Sequence, residues 1–246
     1  MAEPERLIRG RTTMCVLRWL RLVGITALMV AGLSLGADRS HAQTAVDARG
    51  DIVFGPETAA IVVVSYISLA CPACETWLDV FHAPLLQELE KNRNLRHVIK
   101  LIGASESRVE EENAVMAAAL TSCADLTNER KIDFVRVWLG SRNDWLNDAR
   151  RIRAVAMLAG RPLSDEWIDC ANGRELQLRS HLLELFALSP GPDDAGMITI
   201  NYPLSIVGPV VDGKVIVQDR AMSGISREAD RLLASIRLMA RKGGVD

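Results

Sequence analysis

Two cysteines three positions apart, in Cys71-Pro72-Ala73-Cys74, are the residues of this chain best suited to chemistry. An apolar run, Ala60–Tyr66, precedes them, and a helix-like stretch follows from about Glu75. A cysteine that caps a helix N-terminus meets unpaired backbone N–H groups and the positive end of the macrodipole, and both favour its thiolate. The second cysteine lies about one helical turn further on, close enough to close a disulfide on the first. Such a pair takes up and gives back two electrons by thiol–disulfide exchange. Two other chemistries fit a C-x-x-C: a structural disulfide, or half of a zinc site. Zinc needs two more ligands at sensible spacing, and Cys123 and Cys170 each stand alone. His82, His97 and His181 are single histidines on periodic segments and read as surface or packing residues. No nucleophile–His–acid set and no phosphate loop stands out, so neither a metal nor another cofactor is called for.

The elements around the pair follow from periodicity. Asp51-Ile52-Val53-Phe54 reads as a short strand closed by the turn dipeptide Gly55-Pro56, with a polar Thr44–Gly50, extended or loose, before it. Ile61–Tyr66 is β-branched and almost wholly apolar, as in a strand covered on both faces. After the cysteines, Trp77, Leu78, Phe81, Leu85, Leu86 and Leu89 recur at helical spacing, with a kink or break expected at Pro84. Leu95–Ile102 alternates and ends at Gly103, as a second strand. Strand–helix–strand predicts a parallel βαβ unit.

From about Ser107 to Leu188 the pattern is helical throughout, ending at Ser189-Pro190-Gly191-Pro192. Glu110-Glu111-Glu112 reads as an acidic first turn and Ser164 as an N-cap. Strand character returns at Ile198–Ile200, Leu204–Val207, Val210-Val211 and Val215–Val217, with Asp212-Gly213 as a hairpin turn. An amphipathic helix from Ser226 turns Leu232, Leu233, Ile236 and Met239 inward.

Residues 1–42 read as a signal peptide: Arg18 and Arg21, the uncharged apolar run Leu22–Leu35, and Ser40-His41-Ala42 as a cleavage site. An uncleaved anchor is the other reading, although the run is short for a span of about 20 residues. The chain has 29 Lys and Arg against 31 Asp and Glu. Without residues 1–42 the net charge is −5, and the lack of a basic stripe argues against a nucleic-acid partner. Export into an oxidising compartment also bears on the four cysteines that remain. Cys71 and Cys74 pair by proximity, which leaves Cys123 and Cys170 either as a structural disulfide or as two buried free thiols.

The stretch from Asp51-Ile-Val-Phe-Gly-Pro56 through Ile61-Val-Val-Val-Ser-Tyr66 to Cys71-Pro-Ala-Cys74 resembles the opening of the DsbA-type exported thiol oxidoreductases. That resemblance implies an α/β chain: a thioredoxin fold in two parts, residues 43–106 and 189–246, around an all-helical insertion, residues 107–188. It implies Cys71 as the exposed nucleophile, Cys74 as its buried partner, and Pro72 and Ala73 as the dipeptide that tunes the couple. Pro203 is implied as a cis-proline facing the cysteines, with Tyr202 beside it in substrate binding; Pro209, which follows Gly208 in a turn-like setting, is the rival position. It implies a periplasmic location, exported proteins with thiols or disulfides as substrates, and a membrane redox partner. Three departures stand out. Ala73 replaces the histidine of strongly oxidising members, which points to a less depressed Cys71 pKa and a less oxidising couple. Ser65 stands six positions before Cys71, where many relatives carry an acid. Tyr202 is bulkier than the usual residue before the cis-proline. A reductase or isomerase, and a peptide-binding module without turnover, are the other functions this sequence allows.

Overall fold

In the computed structural model, residues 45–105, 107–158, 160, 163–189, 201–222 and 226–242 are described. The proposed signal peptide, the strand expected at Ile198–Ile200 and the Pro-Gly-Pro stop lie outside them.

Seven strands form one sheet among the described residues: β1 (Ala45–Asp47), β2 (Ile52–Phe54), β3 (Ile61–Ser68), β4 (Leu95–Ile102), β5 (Leu204–Val211), β6 (Lys214–Ile216) and β7 (Asp219–Met222). Their order is β1-β6-β5-β3-β4-β2, with β7 also on β5. Strand β3 runs parallel to β4 and antiparallel to β5, which explains why all eight of its residues are buried. Alternation sends its side chains to two separate cores. Ile61, Val63 and Ile67 join Ile99, Leu101, Trp77 and Phe81 on one face. Val62, Val64 and Tyr66 join Val98, Leu185 and Leu188 on the other.

Helix α1 (Pro72–Trp77) leaves β3 and passes through a π-helical turn, Leu78–His82, into α2 (Ala83–Lys91). The irregularity expected at Pro84 is this turn. Ala83 N–H donates five residues back, to the Leu78 carbonyl, and the widened turn accommodates the ring of a proline that cannot donate. After β4 come α3 (Arg108–Cys123), α4 (Asn128–Gly140), α5 (Arg142–Trp145), α6 (Ala149–Met157), α7 (Asp165–Gly173) and α8 (Glu175–Leu188). Ser107 caps α3 at the Glu110 N–H, and Ser164 caps α7 at the Trp167 N–H. Cys123 and Cys170 form a disulfide with Cα atoms 5.9 Å apart, tying the end of α3 to α7. Trp167 adds a hydrogen bond from its indole N–H to the Leu120 carbonyl, 2.8 Å. Helix α9 (Ser226–Lys242) follows β7 and buries Leu232, Leu233 and Ile236. The path β3–α1/α2–β4, then β5–β7–α9, is a thioredoxin fold with helices inserted between β4 and β5.

The structure decides one open expectation and corrects another. Of the two forms expected before Asp51, extended or loose, Ala45–Asp47 takes the extended one and pairs with β6, as a strand too short to show a period. Leu204–Val207 and Val210-Val211 are not two strands with a Gly-Pro turn between them but one strand, β5. At Gly208 the carbonyl of Ile216 comes so near that a Cβ would lie 1.8 Å from it, so glycine is required there by close approach rather than by a turn. The real turn is Asp212-Gly213, both with positive φ (50° and 74°), as a two-residue hairpin of that hand needs. Strand β7 was hidden by its polar sequence, Asp-Arg-Ala-Met, on the edge of β5.

Candidate active site

Strand β3 ends at Ser68, and its carbonyl accepts the Cys71 N–H at 3.2 Å. Cys71 then takes an extended conformation (φ −91°, ψ 119°) as N-cap of α1, and Pro72 occupies the first helical position. Proline fits there because that N–H has no intrahelical acceptor to lose. Both thiols of the pair are free. Their protonation is pulled apart. The Cys74 thiol donates to Cys71 and holds the Cys71 pKa below the ordinary thiol value; the backbone N–H groups of Cys74 and Ala73 and the charge of Arg142 act the same way, against burial. Burial pushes the Cys74 thiol well up, and the neighbouring Cys71 sulfur adds to that. A proton leaving this pair therefore comes from Cys71, and Cys74 remains the donor.

Facing the pair, the Tyr202-Pro203 peptide bond is cis, and the Tyr202 carbonyl accepts from Cys71 Sγ at 3.5 Å. Pro209 lies within β5, opposite Ile61. The Tyr202 hydroxyl donates at 3.4 Å to the Ala104 carbonyl, which also accepts from Ser68 Oγ at 2.7 Å. This bracing bears on access. Cys71, expected to be exposed, is 5% exposed, and Cys74 is 0% exposed. The surface of the site is instead Pro72, which is exposed, with Ala73 half-buried beside it. The Tyr202 backbone carbonyl, 3.5 Å from the sulfur, is part of its cover.

Behind α1 lies a polar cluster that the sequence reading missed. Ser65, in place of an acid, is fully buried and hydrogen-bonds His97 Nε2 (3.0 Å) and Ser205 Oγ (2.8 Å). Trp77 Nε1 donates to Ser205 Oγ at 3.0 Å, and His97 Nδ1 meets His82 Nδ1 at 3.3 Å. Of the two places expected for His82 and His97, surface or packing, both take the second, buried among the rings of Phe54, Trp77 and Phe81. The signal for His97 was available. It alternates with Leu95, Ile99 and Leu101 and so shares their inward face. His181 is also buried, with Nδ1 3.1 Å from the Leu101 carbonyl and 3.5 Å from Asp51.

Burial lowers the His82 pKa to about 4, with the charge of Arg136 adding to it, and burial holds His97 well below its usual value. Both imidazoles are neutral at pH 7. A base depressed in the folded state binds its proton more readily when unfolded, so this stability is present above about pH 6.5 and is lost as pH falls toward 4. Urea titrations at pH 7 and pH 4.5 should differ by roughly 2–3 kcal/mol from His82 alone. That component should disappear in His82→Phe; an unchanged acid profile in the variant would contradict the assignment.

No group of three His, Cys, Asp or Glu residues that could hold a metal ion occurs among the described residues. Nor, among them, is any helix long and apolar enough to cross a membrane.

The family model described as Thioredoxin matches residues 47–175. Among solved structures, the chain is similar to alpha-DsbA1 of Wolbachia pipientis, at 16% identity over 77% of this chain and 90% of that one, with a TM-score of 0.56. A double variant of the same Wolbachia pipientis protein gives 14% identity with the same coverage and TM-score. No curated protein matches the sequence. At these identities the structures speak to the fold, and they share it with this chain.

Proposed function

The chain belongs to the thioredoxin family, and we propose that within it this protein is a thiol–disulfide oxidoreductase acting on exported proteins. One observation carries the reading: two free thiols at a strand-to-helix junction, with the Cys71 pKa drawn down and that of Cys74 driven up, beside a cis X–Pro peptide. In the oxidising direction the pair starts as a disulfide. A substrate thiolate attacks Cys71 Sγ, the Cys71–Cys74 bond breaks, and Cys74 leaves as a thiolate that takes up a proton. A second substrate thiolate then attacks the substrate sulfur of the mixed disulfide, and Cys71 leaves. The substrate loses two electrons and the pair gains them. A low-pKa Cys71 is the better leaving group in that last step. In the reducing direction the same steps run backwards, with the Cys71 thiolate attacking a substrate disulfide and Cys74 resolving the adduct.

In this reading Pro72 and Ala73 tune the couple, and Tyr202 and Pro203 receive the substrate backbone. The Cys123–Cys170 disulfide is structural, and the electrons leave or arrive through a membrane partner. Residues 1–42 direct the chain to the periplasm. Without a histidine at position 73 the couple is less oxidising than that of a Cys-Pro-His-Cys protein. The 5% exposure of Cys71 favours a second reading, a peptide-binding module without turnover. Catalysis of insulin reduction by dithiothreitol, together with refolding of a reduced substrate, separates the two. Turnover above background in either assay supports an oxidoreductase, and the faster direction identifies its role. Background rates in both leave only the binding module.

A further inference from the structure

We propose that the buried chain Trp77–Ser205–Ser65–His97–His82 is the positioning device of the exchange site, fixing the helix that carries both cysteines against the strand that begins at the cis-proline. The inference rests on the oxidoreductase reading above. Its members come from α1, β5, β3, β4 and the π-helical turn, and none is more than 3% exposed. Trp77 lies three residues after Cys74. Ser205 lies two after Pro203 and directly opposite Ser65 in the β3–β5 register. The chain thus joins a point one turn beyond the sulfurs to a point one strand repeat beyond the cis peptide.

The direction of its hydrogen bonds can be assigned by counting partners. An indole N–H only donates, so Ser205 Oγ accepts from Trp77. If Ser205 then donates to Ser65, Ser65 to His97 Nε2, and His97 Nδ1–H to His82 Nδ1, every member has a partner except His82 Nε2. That atom is buried without one. Running the serine and histidine bonds the other way strands His82 Nε2 and the Ser205 hydroxyl proton as well. The first arrangement leaves fewer buried polar groups unmet and is the cheaper one. A single fixed donor, Trp77, thereby sets the proton positions of four other residues.

Such a chain is not the simplest way to fill a core among Phe54, Phe81 and Trp77; apolar side chains would pack there without partners to satisfy. Apolar contacts, however, tolerate sliding, whereas hydrogen bonds weaken steeply with misalignment. What the chain adds is registration between α1 and β5, the two elements whose alignment sets the 3.5 Å approach of Cys71 Sγ to the Tyr202 carbonyl. Trp77, Ser205, Ser65 and His97 are therefore positioning residues: the hydrogen bonds of the chain run among its own members and not to the reacting sulfur.

The test compares two rates on each protein. Exchange of the Cys71–Cys74 pair with dithiothreitol needs only the sulfurs, while exchange with insulin also needs β5 in place. Ser205→Ala and Trp77→Phe should each lower the insulin-to-dithiothreitol rate ratio about tenfold, and Ser205→Thr, which keeps the hydroxyl, should restore it. If Ser205→Ala fails to fold, Trp77→Phe decides. A ratio that stays at the wild-type value in a folded variant, with only thermal stability reduced, overturns the inference and leaves the oxidoreductase reading standing. A wild-type protein that exchanges with neither partner refutes that reading before any variant is made, and the inference with it.

Discussion

Cys71→Ala should bring insulin reduction down to the uncatalysed rate, a loss of roughly three orders of magnitude or more if turnover depends on this nucleophile. The reason is the division of labour in the pair. Cys71 is the sulfur with a lowered pKa, held by the Cys74 thiol and by two backbone N–H groups, so it supplies the thiolate. Cys74 is fully buried with its pKa raised and cannot take over the attack. The substitution also removes the S–H···O contact to Tyr202, but Tyr202 keeps its own bond to Ala104, so the peptide groove should persist. Peptide binding is expected to survive in the variant. Measuring both properties on one sample checks this: initial rates by insulin turbidity and binding by calorimetry. Residual turnover at a substantial fraction of wild type would mean that another sulfur does the work.

Loss of the second disulfide should act on stability and spare the chemistry. Cys123 and Cys170 close a loop across 47 positions, and the chain-entropy estimate for such a loop is about 4 kcal/mol. For a domain of this size that corresponds to a fall in Tm of roughly 10 °C. The double variant Cys123→Ala/Cys170→Ala should unfold earlier in a thermal melt and yet exchange with insulin as the parent does. Trp167 should soften the loss, since its bond to Leu120 holds the same two helices. A variant with an unchanged Tm would show that packing, not the bond, keeps α3 and α7 together. One that melted normally but lost exchange would give this pair a redox role.

The ends of this molecule's βαβ unit were legible because their signals are local. Eight consecutive buried positions in β3 leave a β-branched apolar run, and a proline between two cysteines marks a helix start. Ser107 and Ser164 announce their helices by the same short-range chemistry. What was not legible depends on residues far apart in sequence. Gly208 looks like half of a turn until the Ile216 carbonyl is seen beneath it. Strand β1 exists only because β6 returns to meet it. Ser65, His97 and Ser205 are unremarkable singly, and only the parallel and antiparallel registers of β3 bring them together behind the cysteines. The burial of Cys71 belongs to the same class, because part of its cover is the Tyr202 carbonyl, 131 positions away.

The proposal turns on one covalent event, and the variant Cys74→Ser isolates it. Without the resolving sulfur, attack by Cys71 on a disulfide-bearing peptide stops at the mixed disulfide. That variant is incubated with such a peptide and alkylated; its intact mass should show one peptide per chain, released by dithiothreitol, and a digest of the same sample should place the link at Cys71. No adduct at Cys71, with the sulfur still titratable once the protein is unfolded, would contradict the account.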